Sequence, residues 1–169
     1  YSRLDGRSDR ALVEAITENQ ATMVWYGARG IPVEVNEAHH WSLRGAPDSI
    51  AVAAFYLAAY NAKKAGVRDY IAQIMLNNPP GTSSIMDLGK ALAGLEMITR
   101  LEDSEFKIYR QVRAGLASLS VNQAVAKGQL AASTVLGLAL KPEIIHVVAY
   151  CEADHIANPQ EIIESCEIV

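Results

Sequence analysis

Four apolar stretches rich in β-branched residues recur along the chain, and each ends in a group of polar side chains. They occupy residues 31–36, 70–76, 106–112 and 144–155, the last including its polar ending. They start roughly 37 residues apart, about the length of one strand, one loop, one helix and one return turn. Continuous apolar runs are typical of strands in parallel sheets, which are buried on both faces. The pattern predicts four βα units.

The segments between these stretches have the residue spacing of helices. Helices are predicted over residues 9–26, 48–65, 86–101 and 122–140, and Asn158 and Pro159 begin a last one. Ser8 is the expected N-cap of the first helix. Because helices alternate with strands without interruption, we expect parallel strands joined by right-handed crossovers.

Two architectures fit this alternation: half of a (β/α)8 barrel and an open, doubly wound sheet. The spacing is even, and polar groups follow every strand. An open sheet has one privileged switch point, whereas a barrel collects polar residues at every strand end. The predicted fold class is therefore α/β, with about four parallel units forming half of a TIM-type barrel in a single domain over residues 1–169.

The end of the chain and the edges of the predicted sheet suggest that further polypeptide is needed. The sequence stops at Ile-Ile-Glu-Ser-Cys-Glu-Ile-Val, with a helical pattern and no terminating glycine or proline. Four apolar strands would also leave two unpaired edges unless more chain or a partner covered them. We expect a fragment of a larger barrel protein, or a chain that associates as an oligomer.

Composition narrows the possible partners. Half of the residues are hydrophobic and the net charge is -4, with no basic stripe, so neither disorder nor nucleic-acid binding is expected. No apolar run approaches the roughly 20 residues that a membrane span needs, and the first residues do not resemble a signal peptide. The two cysteines lack Cys-x-x-Cys spacing, which favours reduced thiols and a cytoplasmic location.

The loop after the first strand offers Glu37, His39 and His40. Adjacent histidines in an extended chain point to opposite faces, so one ion could bind both only if the loop bent sharply. We therefore expect no metal here. One histidine, His40 in particular, could serve in proton transfer, with Glu37 and His39 contacting substrate; a purely structural role is the alternative.

The loop after the second strand contains two prolines followed by Gly81, Thr82 and Ser83. The prolines stiffen the loop, and free N–H and hydroxyl groups then stand next to a helix N-terminus. Asn78, Gly81 and Thr82 are the candidate cofactor-binding residues. An ordinary turn with a helix cap explains the same pattern, and the Gly-Lys-Ser/Thr of a phosphate-binding P-loop is missing.

The third strand contains Arg110 and ends at Arg113. Either arginine could hold a substrate carboxylate through a two-pronged hydrogen-bond fork. Side chains alternate between the two faces of a strand, which puts Arg110 on one face and Arg113, with Gln111, on the other. Only one of the two arginines should therefore face the open mouth at the carboxyl end of the barrel. A structural ion pair with an acid of a neighbouring strand is the alternative.

The fourth stretch places Glu152, Asp154 and His155 directly after apolar residues. Partial burial would raise the pKa of a carboxyl group there toward the range useful for proton transfer or for binding a sugar hydroxyl. Glu152 and His155 are therefore candidate catalytic residues. In the alternative interpretation Asp154 caps a turn, His155 packs and Glu152 pairs with Arg113. Cys151 is expected to be an inert core thiol.

The order of these motifs resembles a known family. Residues 106–118, the segment Ala-Lys-Gly-Gln-Leu-Ala-Ala-Ser, residues 144–148 and Cys-Glu152-Ala follow one another as in the barrel of the large chain of adenosylcobalamin-dependent glutamate (methylaspartate) mutase. The preceding loops, before Ser49 and before Asp87, fit the same order. The resemblance covers most of the chain, in pattern rather than in identity.

The resemblance implies a carbon-skeleton or amino-group rearrangement, in which adenosylcobalamin lies across the barrel mouth and its cobalt–carbon bond breaks homolytically. Glu152 matches the glutamate that touches the adenosine ribose. Where the family has a lysine four residues earlier, this chain has Val148, and the family's substrate-gripping arginines belong to an earlier part of the barrel. The Asp-x-His-x-x-Gly motif that ligates cobalamin does not occur, so another domain or chain must bring the cofactor.

Three functions follow from these patterns. The first is the catalytic-barrel portion of a cobalamin-dependent mutase acting on an amino acid or small carboxylate. The second is a cofactor-free or metal-assisted barrel lyase or isomerase that uses His40, Arg113, Glu152 and His155. The third is a non-catalytic half-barrel with a structural or assembly role, whose polar groups only satisfy one another.

Overall fold

The computed structural model describes residues 8–35, 46–76, 83–115 and 119–169. This part of the chain is an α/β fold with five helices and four strands. In chain order the elements are α1 Leu12–Gly27, β1 Val33–Glu34, α2 Asp48–Lys64, β2 Asp69–Leu76, α3 Ser84–Thr99, β3 Lys107–Ala114, α4 Gln123–Leu138, β4 Ile144–Ile145 and α5 Pro159–Ile168.

The four strands form one parallel sheet in the order β1-β2-β3-β4. Each strand pairs with its neighbour in sequence, and the order never reverses as it does at the switch point of a doubly wound sheet. The predicted fold class is confirmed: the arrangement is consistent with half of a barrel-like parallel fold. All four strands run the same way, so their carboxyl ends share one edge of the sheet.

The two central strands are long and the two edge strands are short. β2 and β3 pair over eight residues each, from Asp69 opposite Lys107 to Leu76 opposite Ala114. β1 has two residues where residues 31–36 were predicted, and β4 has two where the apolar part of residues 144–155, up to Glu152, was predicted as a strand. An edge strand pairs on one side only, so fewer hydrogen bonds keep its ends extended.

The fourth predicted stretch changes direction soon after it leaves the sheet. The N–H of His146 makes one more bond to the Val112 carbonyl, at 2.9 Å, and the chain then turns. The N–H groups of Asp154 and His155 bond the Cys151 carbonyl at 2.9 and 3.0 Å. The prediction that Glu152 directly follows a strand was therefore wrong: it lies in a turn over residues 150–155.

The main core lies between the helices and one face of the sheet. Tyr70 of β2 stacks on Phe106, with ring centroids 5.9 Å apart, and both are fully buried. Small residues let α2 and α3 approach closely. A Cβ atom on Gly94 of α3 would lie only 2.8 Å from Cδ1 of Phe55 in α2.

A second, smaller core fixes the turn over residues 150–155 against α4 and α5. Tyr150 and Cys151 pack there with Leu130 of α4. The N–H of Tyr150 donates to Ser165 Oγ at 3.2 Å, and its hydroxyl donates to Glu164 at 2.9 Å. Side-chain packing and hydrogen bonds to α5, rather than strand pairing, therefore hold the turn.

The helix starts show which caps the chain uses. α1 begins at Leu12, three residues later than predicted, and Glu14 accepts a hydrogen bond from the Ala11 N–H at 3.0 Å. Ser8 accepts from the N–H of Arg10 instead, so its predicted role as N-cap was wrong. Asn158 caps α5 as predicted, accepting from the Glu161 N–H at 3.1 Å.

Candidate functional site

Three of the site residues predicted from the sequence lie at or near the carboxyl edge of the sheet. They are Arg113, near the end of β3, and Glu152 and His155, in the turn over residues 150–155. Arg110 lies within β3. The other candidates fall outside the described residues; they are Glu37, His39 and His40, within 36–45, and Asn78, Gly81 and Thr82, within 77–82.

Alternation along the strands separates the sheet into two faces. Val33, Tyr70 and Val112 belong to the core beneath the helices. Residues of the other parity therefore lie on the opposite face. In β1, β2 and β3 these include the polar residues Glu34, Gln73, Gln111 and Arg113.

Glu34 joins three strands on that face. Its carboxylate accepts a hydrogen bond from the Gln111 side chain at 2.7 Å and a second one from the Gln73 side chain. β1 and β3 are separated by β2, so their backbones are about 10 Å apart. Side chains from β1 and β3 meet across that gap, on the face that becomes the inner, concave one when such a sheet curves into a barrel.

Gln73 leaves a buried polar atom without a partner. Its side chain is 4% exposed, and its amide nitrogen is used by Glu34. Its carbonyl oxygen Oε1 accepts no hydrogen bond from any residue in the described ranges. Such an atom loses its hydration without compensation, and its desolvation costs about 1–3 kcal/mol. It is a ready acceptor for an N–H or O–H group of a bound molecule.

Arg113 brings a positive charge to the same face, two residues beyond Gln111 and so roughly 6–7 Å further along the strand. Partial burial lowers the pKa of its guanidinium, while the negative charges of Glu152 and Glu34 oppose this by raising it. Among the described residues its one hydrogen bond is a long one, 3.4 Å, from Nε to the Ala114 carbonyl. Most of its five N–H donors are therefore available to a ligand.

Arg110 is engaged elsewhere. It forms an ion pair with Glu143, just before β4, and a 3.3 Å hydrogen bond to the Leu140 carbonyl. Its hydrogen bonds hold the pKa of the Glu143 carboxyl at about 2, well below the ordinary value of 4.5. The structural ion pair considered from the sequence is therefore present. The guanidinium lies among residues of α3 and of the segment that follows α4, on the face of the sheet opposite Arg113.

Glu152 is exposed, and one oxygen of its carboxylate accepts from the Ala149 N–H at 3.0 Å. This bond closes the turn and fixes the direction of the side chain. The second oxygen accepts no hydrogen bond from the described residues. Glu152 affects Arg113 through its charge, and it can still accept a hydrogen bond from a ligand.

His155 lies between two carboxylates. Its Nδ1 is 3.0 Å from Asp154 Oδ2 and its Nε2 is 2.9 Å from Glu161 Oε1. These hydrogen bonds, Asp154 first and Glu161 second, raise the pKa of the imidazole. Cys151 is buried, as expected of a core thiol, but its Sγ also donates to Glu161 Oε2 at 3.4 Å.

Glu34, Gln73 and Glu161 were not among the predicted site residues. Glu34 and Gln73 each interrupt an apolar run, in Val33-Glu34-Val35 and Ala72-Gln73-Ile74. That signal was available in the sequence. Glu161 follows Asn158 by three residues, as a capping partner does, and its contacts to Cys151 and His155 depend on the turn before the helix.

The concave face and edge together combine one cation with several acceptors. Arg113 can bind a carboxylate, while Glu34, Gln73 Oε1 and Glu152 can accept hydrogen bonds from an ammonium or hydroxyl group. This donor and acceptor set is complementary to a small molecule that has an acid at one end and polar hydrogens at the other, such as an amino acid.

Comparison with protein-family models, with curated proteins and with solved structures finds no match to this chain. Within the described ranges, no helix combines the length and the apolar character that crossing a bilayer requires. The chemistry of the edge residues is therefore the basis for proposing a function.

Proposed function

We propose that this chain is the catalytic-barrel portion of an isomerase that rearranges an amino acid or small carboxylate with adenosylcobalamin. The substrate binds at the carboxyl edge, on the concave face of the sheet. The remaining barrel and the cobalamin-binding domain come from further chain or from a partner subunit. The order of sequence motifs that resembles the mutase family supports the reaction class, and the edge residues support the substrate class.

One observation is central to this proposal: within the described part of the chain, a guanidinium without a hydrogen-bonded carboxylate and a buried amide oxygen without a donor lie on the same face. Arg113 provides the first and Gln73 the second. A folded chain gains little from either group alone, because the Gln73 oxygen is buried without a donor among the described residues, and Arg113 is partly buried with only one long hydrogen bond there. A ligand that brings a carboxylate to Arg113 and an N–H group to Gln73 satisfies both.

The residues then have distinct roles. Arg113 binds the substrate carboxylate through its N–H donors, and burial strengthens that contact because water competes less. Glu34, held by Gln73 and Gln111, receives the substrate ammonium group. These contacts orient the substrate, and the concave face excludes water around it.

The residues at the edge fit one part of the cofactor. Glu152 is exposed and has a carboxylate oxygen available, as a contact to a ribose hydroxyl requires. Val148, which replaces the family's lysine, is buried and adds no charge. When bound, adenosylcobalamin supplies the radical that starts the rearrangement. The chain itself binds and orients the substrate and positions the ribose.

The substrate part of the proposal is tested by calorimetric titration of the chain with α-amino acids and with dicarboxylates that lack an amino group. The variant R113Q should weaken binding of these carboxylates by roughly 10- to 100-fold, the usual effect of losing a charged hydrogen bond. The matched variant R110Q should leave binding unchanged, because its guanidinium is paired with Glu143. Equal losses in both variants would contradict the proposal.

The cofactor part is tested separately, by ultraviolet-visible titration with adenosylcobalamin in the presence of the partner domain. We expect a spectral change that E152Q diminishes, because an amide replaces one carboxylate oxygen facing the ribose. Unchanged spectra with the partner present would argue strongly against cobalamin. Substrate binding at Arg113 could still be correct in that case.

A metal-assisted or cofactor-free lyase or isomerase is the second candidate. It is favoured by His155, which lies next to Asp154 and Glu161 and is therefore suited to proton transfer or metal binding. Turnover of a small carboxylate in the absence of cobalamin would favour this reaction class over the mutase. A loss of that turnover on chelation would identify the metal-assisted form.

A further inference from the structure

Three side chains that commonly bind metal ions converge where the turn over residues 150–155 meets α5. They are Cys151, His155 and Glu161, and their ligand atoms all lie within 4.8 Å of one another. Glu161 Oε1 is 2.9 Å from His155 Nε2, and Glu161 Oε2 is 3.4 Å from Cys151 Sγ. The cluster is independent of the proposed substrate and of Arg113.

We propose that Cys151, His155 and Glu161 bind one Zn²⁺ ion. Tetrahedral ligands about 2.0–2.3 Å from zinc are roughly 3–4 Å from one another, and these atoms, all within 4.8 Å of one another, need only small side-chain movements to reach that spacing. Sulfur, imidazole nitrogen and carboxylate oxygen are ligands that suit a borderline-soft ion such as zinc and are unfavourable for Mg²⁺ or Ca²⁺. Three protein ligands leave the fourth position for water.

A second, independent feature is the group that orients the histidine. Asp154 Oδ2 contacts His155 Nδ1 at 3.0 Å, so Nε2 is directed at Glu161. A histidine that binds zinc commonly donates a hydrogen bond from its other ring nitrogen to a carboxylate. That hydrogen bond fixes the orientation of the ring and increases the basicity of the ligating nitrogen. The chain thus contains three ligand groups and one support within eleven consecutive residues, 151–161.

Charge and proton balance are also favourable. Binding removes the thiol proton of Cys151 to the solvent, and it removes a second proton where His155 is protonated. The thiolate of Cys151 and the carboxylate of Glu161 then neutralise the two charges of the ion next to the buried sulfur. Glu161 Oε2 already accepts from the Asn158 N–H at 2.9 Å, which leaves Oε1 for the metal.

The test uses the purified chain after treatment with a chelator. Zinc is titrated in competition with a chromophoric chelator, and Co²⁺ is titrated in parallel because it reports its ligands by absorption. We expect one Zn²⁺ per chain, and a thiolate-to-cobalt charge-transfer band with the visible bands of tetrahedral cobalt. Absence of one-to-one zinc binding, or a cobalt spectrum without the thiolate band, would overturn the proposal.

Variants separate this site from other ligands of the chain. H155N and E161Q should each weaken zinc binding at least about tenfold, and D154N should weaken it about tenfold, as outer-shell changes do. E161Q can still accept at Asn158, so the helix cap is retained. The control is C166S at the exposed second cysteine, which should leave zinc binding unchanged. Wild-type affinity in H155N and E161Q, or loss of binding in C166S, would contradict the assignment.

Discussion

Gln111 of β3 donates a hydrogen bond to Glu34 of β1 at 2.7 Å, across the strand that lies between them. Gln73, on that central strand, donates to the other oxygen of the same carboxylate. Two amides therefore hydrogen-bond the Glu34 carboxylate, and the guanidinium of Arg113 interacts with it through charge alone. Because the three residues come from three strands, the contact also ties the register of the sheet: a slip by one residue would turn a side chain to the opposite face.

Replacing Glu34 by alanine should destabilise the fold by about 1–3 kcal/mol. The amides of Gln73 and Gln111 are buried, and the substitution removes the acceptor that both of them use. The measurement is the free energy of unfolding from urea titration. The control is E96A on α3, whose partner Arg100 is equally exposed, and it should change stability by less than about 0.5 kcal/mol. Equal stability of E34A and E96A would contradict this account.

Replacing Gln73 by leucine should separate stability from ligand binding. The change removes one donor to Glu34 but also the buried, unpaired oxygen Oε1, so the two effects on folding oppose each other and should sum to within about 1 kcal/mol. Binding of α-amino acids should weaken, while dicarboxylates without an amino group should be less affected. Unfolding and calorimetric titration measure the two effects. Unchanged amino-acid binding in Q73L would remove Gln73 from the site.

The pair of Arg110 and Glu143 should make stability depend on pH in the acid range. The pKa of Glu143 is about 2 in the folded protein and 4.5 ordinarily, so the folded state favours the carboxylate. The contribution of this ion pair to the free energy of unfolding is present above pH 4.5 and is lost as the pH falls toward 2. Urea unfolding across that range should show a smaller loss of stability in E143Q than in the wild type.

The matched control for that series is E105Q, since Glu105 pairs with Arg68 at 3.2 Å with both side chains largely exposed. Its pH dependence should equal that of the wild type. Both members of the Arg110 pair are themselves more than one-third exposed, so solvent screening reduces the size of the effect without changing its sign. Parallel pH profiles for E143Q and the wild type would contradict the assignment.

Two glycines of α3 should respond in opposite ways to alanine. A Cβ on Gly94 would lie 2.8 Å from the Phe55 ring, whereas a Cβ on Gly89 would meet nothing within 4 Å. G94A should therefore cost about 1–3 kcal/mol through overpacking, and G89A should stabilise by about 0.5–1 kcal/mol through helix propensity. Thermal unfolding of the two variants measures the contrast. Stabilisation by both substitutions would show that α2 and α3 can separate at little cost.

The sequence pattern was a good guide to elements and a poorer one to their lengths. The run over 70–76 was predicted one residue short of β2, and the run over 106–112 became a β3 that ends at Ala114. The apolar residues after Ile145 were also expected to continue a strand. They leave the sheet because Tyr150 and Cys151 pack on Leu130, and an apolar run reads the same whether its partner is a strand or a helix.

Strand parity correctly separated Arg110 from Arg113, because alternation is a property of the extended backbone itself. Glu34 was not predicted as a site residue, because its role depends on hydrogen bonds from two side-chain amides that are 39 and 77 residues away along the chain. Nothing local to Val33-Glu34-Val35 specifies those partners. The same is true of Glu161, whose position beside Cys151 and His155 follows from how the turn packs against α5.

Periodicity along the chain thus determined the parallel α/β class, the order of helices and strands, and which strand residues share a face. These follow from the geometry of the backbone and from the burial of apolar side chains, which act over a few residues. Only the tertiary structure decided that Glu34 joins three strands and that Arg110 forms an ion pair with Glu143. It also decided that the side chains of Cys151, His155 and Glu161 lie together. Those contacts depend on sheet curvature, register and the path of a turn, which are settled by packing between distant segments.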